Sequence, residues 1–206
     1  MKSFGDHFFR YVPVRPRDLR WGLYVTGAGC TSILPNTHYP PEPHPELYHF
    51  DWAQGRTLPE YQAIYITHGE GVFESAPTGV EEITPGTVIL LFPGVWHRYR
   101  PQPKIGWDEW WVSFSGEAMD QLVAGQFFSP HRAVLRTGLD EDIQSPFRAL
   151  LDRLRNERTG FPHLVAADVT EILAAVSALA EPEATELIEQ GPRDVAAVKD
   201  RMVAEA

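Results

Sequence analysis

The sequence predicts a mainly β protein with helices toward its C-terminal side. Three observations carry that expectation. Residues 1–138 are rich in aromatic and β-branched residues, broken up by frequent proline and glycine. From residue 139 the apolar spacing changes to helical period. Six tryptophans, seven tyrosines and eleven phenylalanines supply large apolar faces to bury, and eighteen prolines favour short strands and tight turns over a helical bundle.

In chain order, segments 21–26, 60–67, 72–75, 87–92 and 108–114 read as strands. Gly69-Glu70-Gly71, Pro77-Thr78-Gly79, Pro85-Gly86 and Pro93-Gly94 punctuate them. Several short strands at close spacing imply a β-sandwich or barrel. Asp140 and Ser145 are candidate N-caps for a helix carrying Phe147, Leu150, Leu151 and Leu154 at helical spacing. After Gly160, Val165, Val169, Ile172, Leu173, Val176 and Leu179 form one stripe of a second amphipathic helix. Glu181-Pro182-Glu183 ends it, and 185–206 reads as a polar linker toward a further module. The expected organisation is an arm and β-domain over 1–138, a helical hairpin over 139–184, and the linker.

Charge and cysteine content narrow the function classes. The net charge is -10, and from residue 139 onward 14 acidic residues face 7 basic ones, so this chain by itself is a poor partner for nucleic acid. Cys30 is the only cysteine, which excludes an intrachain disulfide and a cysteine-based zinc site. No signal-peptide pattern opens the chain, and its longest strongly apolar run, Val88 to Phe92, is far short of a bilayer span. A cytoplasmic protein without a membrane partner is expected.

Strand 108–114 carries the most chemistry. Alternation puts Trp110, Val112 and Phe114 on one wholly apolar face, which should meet the helices. Glu109, Trp111 and Ser113 share the other. A carboxylate, an indole and a hydroxyl suit a sugar, whose ring stacks on Trp111 while Glu109 accepts from its hydroxyls; the alternative is that this face meets solvent. Cys30 reads as a small core residue. His38, His44 and His49 lie in a stretch with four prolines and fit no metal-binding spacing, so they read as solvated loop histidines.

The run from Pro85-Gly86 through Leu90-Leu91-Phe92-Pro93-Gly94 to His97 resembles the second signature motif of the cupins, with Phe92 where that motif often has proline. The first motif is degraded: its glutamate position falls on Gln62 and its histidine positions near Arg56 and Leu58. His97 alone leaves three metal ligands missing, so metal-dependent cupin chemistry is disfavoured and neither metal nor cofactor is expected. A longer match is similar to the ligand-sensing domain of AraC-type transcription regulators. It comprises Gly69-Glu70-Gly71, Pro85-Gly86, Leu90 to Gly94, His97, Tyr99, Trp110-Trp111-Val112 and Phe114.

That resemblance implies a cupin-like β-barrel (jelly roll) followed by an α-helical hairpin that dimerises. It implies a small-molecule effector, a sugar by analogy with the arabinose-responsive member, held by Thr31, Arg56, Tyr99, Glu109 and Trp111, with His97 at the barrel mouth. Glu109 stands where the arabinose sensor has histidine, which argues against arabinose itself. Val169, Ile172, Leu173 and Val176 are the expected dimer contacts. DNA would be met only through a module outside this chain. A regulator rather than an enzyme is expected; the competing readings are a free-standing cupin enzyme acting on a sugar or small metabolite, and a structural cupin with a filled barrel.

Overall fold

The computed structural model describes residues 7–40, 51–157 and 159–180. Strand β1 (Phe8–Tyr11) is followed by a short 3-10 turn over Asp18–Trp21 and by β2 (Tyr24–Ile33). Then come β3 (Tyr61–Gly69), β4 (Gly71–Ser75), β5 (Gly79–Ile83), β6 (Thr87–Leu91), β7 (His97–Pro101) and β8 (Trp107–Ser115). Helix α1 (Glu117–Ala124), strand β9 (Val134–Arg136) and helices α2 (Glu141–Asn156) and α3 (Phe161–Leu179) complete the described chain. All strand pairs are antiparallel. They form a six-stranded sheet in the order β1-β2-β8-β3-β6-β9 and a three-stranded sheet in the order β5-β4-β7.

The expected cupin-like β-barrel (jelly roll) is therefore corrected: among the described residues neither sheet closes. The large sheet ends on β1 and β9, the small one on β5 and β7. A closed barrel needs ladder bonds across both seams, and here other contacts stand in their place. On one side Arg136 of β9 reaches β5, donating to the Glu82 carbonyl at 3.4 Å and pairing with the Glu81 carboxylate at 3.2 Å. On the other, the outer edge of β7 makes, among the described residues, one bridge, His97 with Arg56. Pro101 and Pro103 offer no N–H to carry that edge further. The remainder of the expectation, strands first and packed helices after, holds.

The strands start and stop where close approach dictates. Trp21 belongs to the 3-10 turn, and β2 runs past the expected strand end at Thr26 to Ile33, through Gly27 and Gly29. A β-carbon on Gly29 would lie 2.9 Å from the Trp111 ring and 2.6 Å from the Phe8 carbonyl oxygen, so only glycine lets β1 and the indole meet this strand. Strands β1, β5, β7 and β9 and helix α1 have no counterpart among the expected elements; they are short, and most carry exposed polar positions.

The outer face of the large sheet carries the helices, as the alternation in 108–114 predicts. Trp110 packs edge-on to Phe147 of α2 at 6.1 Å, and Tyr65 stacks on the same ring at 6.1 Å. The Tyr65 hydroxyl donates to the Gly138 carbonyl and accepts from the Asp140 amide. Asp140 caps α2 by accepting from the Asp142 N–H at 2.8 Å. Between the two helices, Arg153 donates to the buried Asp168 at 2.9 Å. Val169, Ile172, Leu173 and Val176 are all buried within this chain, against α2 and β2. Helix α3 is long and apolar enough to cross a membrane by length and composition, but here its most apolar side is part of this core. The 185–206 linker and the positions His44 and His49 lie outside the described residues.

Candidate ligand-binding site

The inner face of the large sheet looks toward the small sheet. Register places Thr31 beside Glu109, Gly29 beside Trp111, and Gln62 beside Ser113, so these side chains project to the same side. From the small sheet, His97 and Tyr99 of β7 and Phe73 of β4 are buried, while the intervening Arg98 and Arg100 are not. The space between the sheets is therefore lined by polar groups within an apolar frame. Such a buried set persists only where its members bond one another or a ligand.

Arg56 is the hub at one end. Its backbone bridges His97, with N–H to carbonyl distances of 2.9 and 3.0 Å, which aims the guanidinium inward. Its Nη2 donates to the Tyr99 hydroxyl at 2.6 Å and to Gln62 Oε1 at 3.3 Å, and its Nε donates to His97 Nε2 at 3.3 Å. Gln62 passes the network on, donating to Ser113 Oγ at 2.9 Å. The tautomer of His97 follows from its neighbours: Nδ1 carries the proton, 3.0 Å from the Val95 carbonyl, and Nε2 accepts from the arginine. Burial, then the Arg56 charge, push the imidazole pKa down to about 3, so His97 is neutral. Burial pushes the Tyr99 phenol up to about 12 in spite of Arg56.

Glu109 marks the other end. Burial raises its carboxyl to about 7, opposed by the Tyr39 hydrogen bond, the nearby Trp107 indole and the Arg56 charge. The Tyr39 hydroxyl donates to Glu109 Oε2 at 3.1 Å, with its ring edge-on to Trp107 at 5.8 Å and to Tyr99 at 6.0 Å. Thr31, the cross-strand neighbour of Glu109, lies 3.1 Å from His7 Nδ1. Trp111 lies over Gly29 with Tyr11 at 6.1 Å.

Thr31, Arg56, His97, Tyr99, Glu109 and Trp111 thus all face one inter-sheet space. Arg56, His97 and Tyr99 touch directly, Tyr39 links Tyr99 to Glu109, and Trp111 stands toward β1. Tyr39, Gln62 and Tyr11 join them without having been expected as site residues. Gln62 had a signal, a polar residue at an inward position of a strand that continues with Ile64 and Ile66. Tyr39 had none, because it sits in an aperiodic, proline-rich stretch. Among the described residues no cluster of three or more histidine, cysteine or acidic side chains could hold a metal ion. His38 is exposed, with Nδ1 3.2 Å from the Pro40 carbonyl.

The family model described as the AraC-like ligand binding domain matches residues 38–173, about two thirds of the chain. The chain belongs to that family. The matched span of this AraC-like domain opens next to Tyr39, runs through β3 to β9 and α2, and ends within α3. Among solved structures, the AraC-like transcriptional activator CuxR is similar at 13% identity over 86% of this chain and 64% of its own, with a TM-score of 0.44. ToxT from Vibrio cholerae is similar at 10% identity over 97% and 63%, with a TM-score of 0.39. YhaK from Escherichia coli is similar at 11% identity over 54% and 45%, with a TM-score of 0.38. The chain spans less than two thirds of each of these three proteins. No curated protein matches it.

Proposed function

We propose that this AraC-like domain is an effector sensor. It takes a sugar or similar small polar molecule between its sheets and relays occupancy to a DNA-binding module, so controlling transcription as a cytoplasmic homodimer. The observation that carries the reading is the buried network centred on Arg56, with Tyr99, His97 and Gln62 at hydrogen-bond distance. These groups form an array of fixed donors and acceptors, the equipment for recognising hydroxyls, and Trp111 adds a flat apolar face for a sugar ring. Glu109 and Thr31 supply acceptors at the far end.

We read the site as one for binding because its polar groups bond one another, both ring nitrogens of His97 included. The dimer would form through the helical hairpin. Since Val169, Ile172, Leu173 and Val176 are buried in the chain's own core, the partner meets the opposite side of α3, where Leu164, Ala167 and Ala174 are exposed.

A thermal-shift panel of monosaccharides tests the sensor reading. A binding sugar at ~100 times its dissociation constant adds about 2.7 kcal/mol of stability, and Trp111→Ala loses that gain while remaining folded. If every sugar leaves the melting temperature unchanged, the sugar assignment falls. A response that survives Trp111→Ala moves the site elsewhere.

A further inference from the structure

We infer that Tyr39 is an in-built occupant of the inter-sheet site, its phenol holding the place of an effector hydroxyl at Glu109, so that an effector has to displace it. The inference rests on the sensor reading and adds a competitor supplied by the chain itself. Its basis is the position of one side chain. Residues 34–38 are exposed, and the segment is tied down by the Asn36 amide on the Pro103 carbonyl at 2.6 Å and by Thr37 on the Leu34 carbonyl. From this surface segment the Tyr39 ring reaches inward to Tyr99 and Trp107, and its hydroxyl ends on Glu109.

Tyr39 is also a partition. On its outer side it lines a cavity of about 130 Å³ together with Leu34, Thr37, Trp52, Arg100 and Gln102. Trp52 and Arg100 form a stiff wall there, the guanidinium lying 4.1 Å from the indole centroid. Tyr39 thus touches both this cavity and, through its hydroxyl, Glu109. Rotation of Tyr39 opens the way, and the incoming molecule must replace what it removes: a hydroxyl donor to Glu109 and a ring face against Tyr99 and Trp107. The ligand class this selects is a hydroxyl-bearing ring. Because the site accepts ligand only while Tyr39 is out, apparent affinity falls by the fraction of time it is in. Displacement would also shift the 34–40 segment, giving occupancy a structural consequence at the surface.

The test uses p-cresol, the tyrosine side chain detached from the backbone. Tyr39→Ala is expected to take up one p-cresol per chain by calorimetry, with wild type taking up none and Tyr39→Ala with Glu109→Gln binding about tenfold more weakly. Melting scans with and without p-cresol read the same site if the truncation destabilises the fold, because ligand binding raises the melting temperature of even a marginal variant. Tyr39→Phe keeps the ring but loses the donor; it should tighten binding of any monosaccharide that the wild type binds by about tenfold. No p-cresol effect on Tyr39→Ala, or equal uptake by wild type, overturns the inference. Should p-cresol bind Tyr39→Ala while no monosaccharide stabilises wild type, the occupant stands and the sugar reading fails. If a monosaccharide binds wild type and Tyr39→Phe equally and p-cresol is ignored, the sensor stands and the occupant fails.

Discussion

Glu109 and His97 face the same inter-sheet space, and burial moves their proton affinities in opposite directions. Folded Glu109 keeps its proton to about pH 7, whereas an unfolded glutamate releases it near 4.5. Between those values the folded state carries the extra proton, so this residue makes stability fall as pH rises. An unfolded histidine is protonated below 6.5, but folded His97 only near 3. In that window the unfolded state carries the extra proton, so stability falls as pH drops. The two slopes cancel between about 4.5 and 6.5, and removing either residue exposes the other. Relative to wild type, Glu109→Gln should lose stability on acidification below pH 6.5, and His97→Gln should gain it between 7 and 4.5. Each slope approaches about 1.4 kcal/mol per pH unit, one proton's worth. Urea unfolding across pH 4.5 to 7 measures them, and two variants that both keep the wild-type slope would refute the assignment. At this scale the strand residues were legible in the sequence: alternation alone puts Glu109, Trp111 and Ser113 on one face. Arg56 was reachable only through a family motif, and Tyr39 not at all, because loop residues have no period to reveal where they point.

Helix α3 is apolar on more than one side, and its two sides should respond differently to charge. Ile172 is fully buried against α2 and the sheet. A glutamate there buries an unpaired carboxylate, so Ile172→Glu should unfold the domain rather than dissociate a dimer. Ala174 is exposed, and Ala174→Glu should leave the melting temperature of the monomer unchanged while shifting sedimentation from dimer to monomer. A wild type that sediments as a monomer at high concentration would remove the dimer proposal. Phe147 ties this layer to the sheet through Trp110 and Tyr65; Phe147→Ala should cost about 3–5 kcal/mol in chemical denaturation. The sequence pattern reports which residues are buried but not by what. The stripe Val169 to Val176 therefore served equally for a partner chain and for the protein's own sheet. The barrel expectation failed for a related reason. Motif residues such as Pro85-Gly86 and Pro93-Gly94 locate turns, whereas closure depends on backbone pairing across the seams, where Arg136 and Arg56 now stand.

As a whole, the molecule is a large sheet clamped by helices on one face and by a small sheet on the other, and the two clamps differ in kind. The helix layer is held by fully buried apolar side chains, with Ile143, Phe147, Leu150, Leu151 and Leu154 all inaccessible. The small sheet has apolar contacts at Phe73, Ile83 and Tyr99, but between the sheets it is also held by the bonds of Arg56 to Tyr99 and His97. Those bonds join loop to strand, so the small sheet should open locally at lower cost than the central strands β3 and β8. Hydrogen exchange should therefore find faster amides in β4, β5 and β7 than in β3 and β8. Arg56→Ala removes the hub and leaves its former partners in need of water. It should speed exchange in β4 and β7 about ten- to hundredfold while β3 and β8 hold their rates, since a lost bond from a charged donor is worth about 1.5–3 kcal/mol. Uniform acceleration across both sheets would mean that they unfold as one unit, and that Arg56 supports the global fold rather than the separable layer an effector could bind and tighten.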